Sequence, residues 1–192
     1  QEASRRLGHL GVAAGRATRN LGVNYKGGGR RSTCVQSARL KKLQWSLRRY
    51  TMFRDAGARI TRVMAGSGKA SVRYGVSVIG MADGQLDRWR HAVGKALPKM
   101  GRGASLSMRF ALDSARRLDP SFDANECPIM AWIAAHWDAK VPRAFLELAF
   151  RRVAAKLGAG LPNWQDVHGP TGAHIASLCR VGWTVQSPTL YT

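Results

Sequence analysis

Four apolar residues spaced by three and four, Leu40, Leu43, Leu47 and Tyr50, constrain this chain most. That spacing is one face of an α-helix. It predicts a helix over roughly Cys34–Arg54, capped by Ser32 or Thr33 and ended near Gly57. At about 100° per residue, Lys41, Lys42, Arg48 and Arg49 fall on the other side, with Trp45 and Met52 between them. One face suits a core. The other is basic, with an aromatic in its middle.

The charge balance says what such a face is for. Thirty-one Lys and Arg against eleven Asp and Glu give +20 over 192 residues. An excess of this size is usually built to meet a polyanion, most often nucleic acid; the plainer reading is a merely basic surface. The excess is uneven. Residues 1–62 hold fifteen basic residues and only Glu2 and Asp55, a net +13, while residues 63–192 hold sixteen basic and nine acidic, a net +7. The polyanion is expected against the first third of the chain.

Cys34, Cys127 and Cys179 are far apart and odd in number, with no C-x-x-C and no histidine at zinc-ligand spacing. Free thiols, no metal site and a reducing compartment are expected. No apolar run approaches the ~20 residues of a membrane span, and Gln1–Asn20 lacks a signal-peptide core. The expectation is an intracellular chain, nuclear or cytoplasmic, with no membrane partner. A start on Gln1 rather than Met suggests a fragment or processed piece.

The remaining pattern is mainly α, with a short N-terminal β-hairpin, a helical thumb-like bundle and a second small helical unit. Residues 1–17 are an irregular basic lead-in. Thr18–Tyr25 reads as a short strand around Leu21 and Val23, and Lys26–Arg31 as a turn, since three glycines admit positive φ. A helix over Ala58–Ala65 is broken by Gly66-Ser67-Gly68. Ala70–Ile79 suits either helix or strand. Asp83 caps a helix through Leu97, and the loop Pro98–Ser105 separates a region 18–97 from a region 98–192. Pro120 and Pro142 each suit a first helical turn and introduce roughly Phe122–Ala139 and Arg143–Leu157. Pro170–Arg180 is the last helix, ending at Gly182, with a terminal strand at Trp183–Val185.

Catalytic groupings are thin. The glycine run Lys26-Gly27-Gly28-Gly29-Arg30-Arg31 lacks the spacing of a phosphate-binding P-loop, although a basic turn at a helix N-terminus suits a backbone phosphate. Met81-Ala82-Asp83-Gly84 offers one carboxylate where two-metal nucleotidyl transfer needs several. Asp113, Asp119, Asp123 and Glu126 flank Pro120 as turn and first-turn acids. His168, His174 and Cys179 have no carboxylate spaced to orient a histidine, so a structural role is expected.

At "RNLGVNYKGGGRR", followed by the basic helix and "SVRYGVSVIG", the sequence resembles a non-LTR (LINE-type) retrotransposon reverse transcriptase just downstream of its catalytic palm. Leu21-Gly22-Val23 is similar to that family's primer-supporting hairpin, and Arg39-Leu40-Lys41-Lys42 through Arg54 to its first thumb helix. Tyr74-Gly75 and "DRWR" at Asp87–Arg90 follow in the same order. The likeness covers about Thr18–Leu97, and "GPTGAHIASLCRVGWTV" at Gly169–Val185 resembles segments that follow the polymerase region. The paired aspartates, and with them the magnesium, belong to the palm, which this sequence lacks. The resemblance implies a non-catalytic part of an RNA-directed DNA polymerase that holds an RNA or DNA duplex beside its palm. Arg30, Arg31, Arg39, Lys41, Lys42, Trp45, Arg48 and Arg49 are the expected contacts. An independent basic helical DNA- or RNA-binding protein, with Pro170–Thr192 as a helix-turn unit, is the other reading, and a scaffold with a basic surface is a third.

Overall fold

The apolar spacing at residues 40–50 does become one side of a helix. A computed structural model describes residues 17–20, 23–26, 31–98, 103, 105–112, 118–139, 141–158, 160–188 and 190–191. Helix α1 runs Cys34–Asp55 and buries Leu40, Leu43 and Tyr50, with Leu47 partly covered beside them. Thr33 stands at its N-cap, but its side chain makes no capping hydrogen bond.

After α1 come α2 (Ile60–Val63), a widened π-helical stretch over Met64–Lys69, and α3 (Ala70–Arg73). The expected break at Gly66-Ser67-Gly68 is therefore a change of pitch within continuing helix. The reason is close approach. A Cβ on Gly68 would lie 2.6 Å from Met64 Sδ and 2.9 Å from Leu43 Cδ1, while the Tyr50 and Ser67 hydroxyls meet at 3.0 Å. Here the small residues admit α1. Ala70–Ile79, open between helix and strand from its pattern, folds as α3 and α4 (Val76–Ile79), joined where Gly75 takes φ 85°. A side chain at that left-handed φ is strained.

Helix α5 (Asp83–Ala96) is the centre of the main core. Trp89 and Val93 are wholly enclosed, against Leu40, Leu43 and Tyr50 of α1 and Ile60, Met64, Val72 and Val76 of the following turns. Ala82 holds the N-cap position, so Asp83 opens the helix instead of capping it. Helix α6 (Leu106–Leu112), which no pattern announced, adds Phe110 to this core. Leu118 and Ala124 join it too, so the packing continues across the expected boundary at 98–105.

Helices α7 (Pro120–Trp137), α8 (Arg143–Leu157) and α9 (Gly169–Arg180) complete the body. Asp119 caps α7, its carboxylate accepting from Ser121 N–H at 3.0 Å. Pro142 stands just before α8 as its N-cap residue. Pro128 lies inside α7, where a proline cannot donate to the carbonyl four residues back. That carbonyl, on Ala124, faces the Ser177 hydroxyl of α9 at 3.5 Å. A second core joins Trp132 of α7, Leu146 and Phe150 of α8, and Ile175 of α9. The terminal strand lies later than expected, at Val185–Ser187 (β3), paired with Leu190–Tyr191 (β4); numbered in chain order, β1 (Ala17–Asn20) and β2 (Val23–Lys26) pair antiparallel at the other end. Thr18–Tyr25, read as one short strand of an N-terminal hairpin, is divided between β1 and β2, and Leu21, Gly22 and 27–30, Arg30 among them, lie outside the described residues. The chain is mainly helical.

Two buried polar groups stand out, and the first ties the halves together. Lys69 Nζ meets Asp123 Oδ2 at 2.8 Å, both side chains at least nine-tenths covered, with Arg73 Nε 3.4 Å from the same carboxylate. Removing one member of such a pair is expensive, because the other charge stays buried. Asp123→Ala should lower stability by about 3–5 kcal/mol in urea unfolding; a loss under about 1 kcal/mol would show the pair to be solvated.

His174 is the other. Its ring is fully buried and stacked on Trp132, centroids 5.1 Å apart and planes 18° from parallel. Burial, with the nearby His136 adding to it, holds its pKa down to about 4. The native state then binds fewer protons than the unfolded one, so stability rises with pH between about 4 and 6.5 and falls on acidification. Unfolding at pH 7 and pH 5 should show wild type losing more stability than His174→Gln does. Equal losses would remove this ring from the acid response.

Candidate nucleic-acid interface

With the apolar side of α1 locked onto α5, the opposite side faces out. Lys41, Lys42, Trp45, Arg48 and Arg49 are all exposed. Trp45 is 85% exposed, and Met52 and Phe53, about two turns further on, are 63% and 52% exposed. A helical arc carries Lys41, Trp45, Arg48 and Met52 nearly in line, with Lys42, Arg49 and Phe53 beside them. The one carboxylate of α1, Asp55, is at its far end and is held by Arg54 at 2.9 Å. Cations and apolar rings thus alternate on one surface without an acidic residue among them. Phe53 had no place in the sequence reading; it stands next to Met52 on the same arc.

The other expected contacts are arranged differently. Arg39 lies to the side of this face, donating from Nη1 to the Tyr74 carbonyl at 2.7 Å with its guanidinium 4.8 Å from the Tyr74 ring centroid. Val23 is buried, its Cγ2 3.1 Å from where a Cβ on Gly75 would stand. Arg31, expected to reach outward, turns inward. Its Nη2 donates to the Gly80 carbonyl at 2.8 Å and to Gln36 Oε1 at 3.1 Å, and its guanidinium carbon is 5.5 Å from the Trp164 ring centroid.

Arg180 reaches the same tryptophan at 4.2 Å. It also pairs with Asp83 at 2.8 Å, donates to Asn125 Oδ1 at 3.2 Å, and donates to the Met81 carbonyl. Burial lowers the pKa of both arginines, that of Arg31 to about 10 with the charge of Arg180 adding to the effect. Arg180 carries no local signal, because its hydrogen-bond partners, Met81 just before α5 and Asn125 on α7, are 99 and 55 residues away in sequence.

Three of the carboxylates singled out in the sequence are occupied structurally, and Asp113 lies outside the described residues. Asp83 binds Arg180, Asp119 caps α7 and takes Arg90 at 2.9 Å, and Asp123 binds Lys69. Among the described residues no group of three or more His, Cys, Asp or Glu converges to hold a metal ion. No described helix is long and apolar enough to cross a membrane. Helix α9, the centre of the expected C-terminal helix-turn unit, is buried from Thr171 to Leu178, which leaves it no face for a nucleic-acid groove. No protein-family model matches the chain, and comparison with curated proteins and with solved structures finds no match.

The two sides of α1 should separate in mutagenesis. Leu43 is 2% exposed, and Leu43→Ala should cost about 2–5 kcal/mol of stability. Lys42→Ala and Arg49→Ala should stay within about 0.5 kcal/mol of wild type. Thermal or urea unfolding checks both; comparable losses would mean that the cations are part of the packing.

Proposed function

We propose that this chain is a non-catalytic, template–primer-binding thumb and post-polymerase region of a retroelement reverse transcriptase. The observation that carries the reading is the exposed side of α1, where Lys41, Lys42, Arg48 and Arg49 surround Trp45 with no carboxylate among them. Cations on a rigid helix suit phosphates at regular spacing, which position a duplex without reading its sequence. Trp45 offers a ring to sugar or base, a contact that tolerates any sequence. In this reading Leu21, Gly22 and Val23 support the primer end, Arg30 and Arg39 extend the basic track, and the metal-binding aspartates are supplied by the palm. The chain alone therefore binds and does not polymerise.

The second reading, an independent helical DNA- or RNA-binding protein, draws support from the continuous core. Residues on both sides of 98–105 pack together, as in a body that needs no palm to fold. Both readings use the same side of α1.

A salt titration tests the shared claim. Log affinity for a duplex should fall linearly with log salt, by about 0.9 per phosphate neutralised. Lys42→Ala and Arg49→Ala should each weaken binding and reduce the slope by about one. A flat salt response, or slopes unchanged in both variants, would remove α1 as the duplex-holding element. Primer extension by the purified chain with magnesium or manganese would overturn its non-catalytic character.

A further inference from the structure

Arg31 is a covered cation whose hydrogen bonds go to neutral groups, the Gly80 carbonyl and the Gln36 side chain. Its charged neighbour is another cation, Arg180, which already has Asp83 at 2.8 Å. A guanidinium withdrawn from water beside a like charge is costly unless an anion joins it. Next to Arg31 lies a cavity of about 360 Å³, lined by Arg31, Arg88, Ser37, Gln85, Trp164 and Gln165. That volume is within the range of small-molecule sites.

No carboxylate lines the cavity among the described residues. Asp83 is taken by Arg180, and Asp87, beside Arg88 in sequence, lies 3.2 Å from His91. Thr33 and Ala82, the N-cap residues of α1 and α5, also line it, and neither cap supplies a side-chain acceptor to the helix amides. Gln85 Nε2 donates to Ser37 Oγ at 3.1 Å and links the two helix starts across it. Arg88 is exposed at the rim.

We propose that this cavity binds a phosphomonoester group, with Arg88 and Arg31 as its cationic contacts and Trp164 as an apolar wall. Two sources offer that chemistry: the terminal phosphate of a nucleic-acid strand, and a free small phosphate compound. The site is separate from the exposed side of α1 and does not depend on the polymerase reading.

The test uses the full chain with inorganic phosphate as the first probe, against chloride at equal ionic strength. Phosphate should raise the melting temperature, since a ligand that binds the folded state stabilises it, and Arg88→Gln should abolish the rise. Arg88 is exposed, so that variant keeps the test decisive even where Arg31→Gln fails to fold. Lys42→Ala and Arg49→Ala should leave the rise intact. If they also leave duplex affinity unchanged, the thumb reading fails while the cavity stands.

A second arm compares oligonucleotides that differ only in a 5′-phosphate or 5′-hydroxyl. Tighter binding of the phosphorylated strand, by about tenfold and lost in Arg88→Gln, assigns the site to strand ends. Equal affinities alongside a phosphate-specific rise assign it to free phosphate compounds. No rise with phosphate, or one undiminished in Arg88→Gln, overturns the proposal.

Discussion

Leu40, Leu43 and Tyr50 enter the interior from α1, and their seam with Leu86, Trp89 and Val93 of α5 sets the direction of every cation on the opposite side. Each such side chain, fully buried, contributes about 1.5–3 kcal/mol. A rotation of α1 by one residue, about 100°, would bring Lys41 or Gln44 toward Trp89 and is excluded by desolvation. Gly68 tightens the seam from the other flank, because the π-helical stretch has no Cβ there to hold Tyr50 and Leu43 away. The exposed basic side is thus a consequence of core packing.

A second set of contacts works inward. Arg31 at the start of α1 and Arg180 at the end of α9 flank Trp164, and between them they bind the carbonyls of Gly80 and Met81 before α5. Residues from both ends of the chain therefore meet at one loop. Some of the +20 charge is spent on this junction and on Lys69–Asp123, and so does not face out beside α1. Composition counts cations. Only placement says which of them face out.

The parts legible in the sequence are those governed by local periodicity. Helix α1 ends within a residue of its expected limit and presents the expected faces, and α8 runs over the expected Arg143–Leu157. Where a tertiary contact decides, local rules failed. Glycines at 66 and 68 read as a break, yet helix continues through them and Gly68 fits against α1; Asp83 read as a cap, yet its carboxylate goes to an arginine nearly a hundred positions away. The candidate interface divides along the same line. Lys41, Lys42, Trp45, Arg48 and Arg49 followed from the helical arc, whereas the inward turn of Arg31 depends on Gly80 and Trp164, which no spacing near Arg31 announces.

The central claim is that a nucleic acid lies along the exposed side of α1, and site-resolved lysine reactivity tests it most directly. Mass-spectrometric footprinting with an amine-acylating reagent, with and without duplex at constant salt, reports each lysine separately. Lys41 and Lys42 should lose reactivity when duplex is added, while Lys156 on α8, exposed and distant in sequence from α1, should keep it. Protection at Lys156 with Lys41 and Lys42 still reactive would contradict the account and move the polyanion to the C-terminal helices.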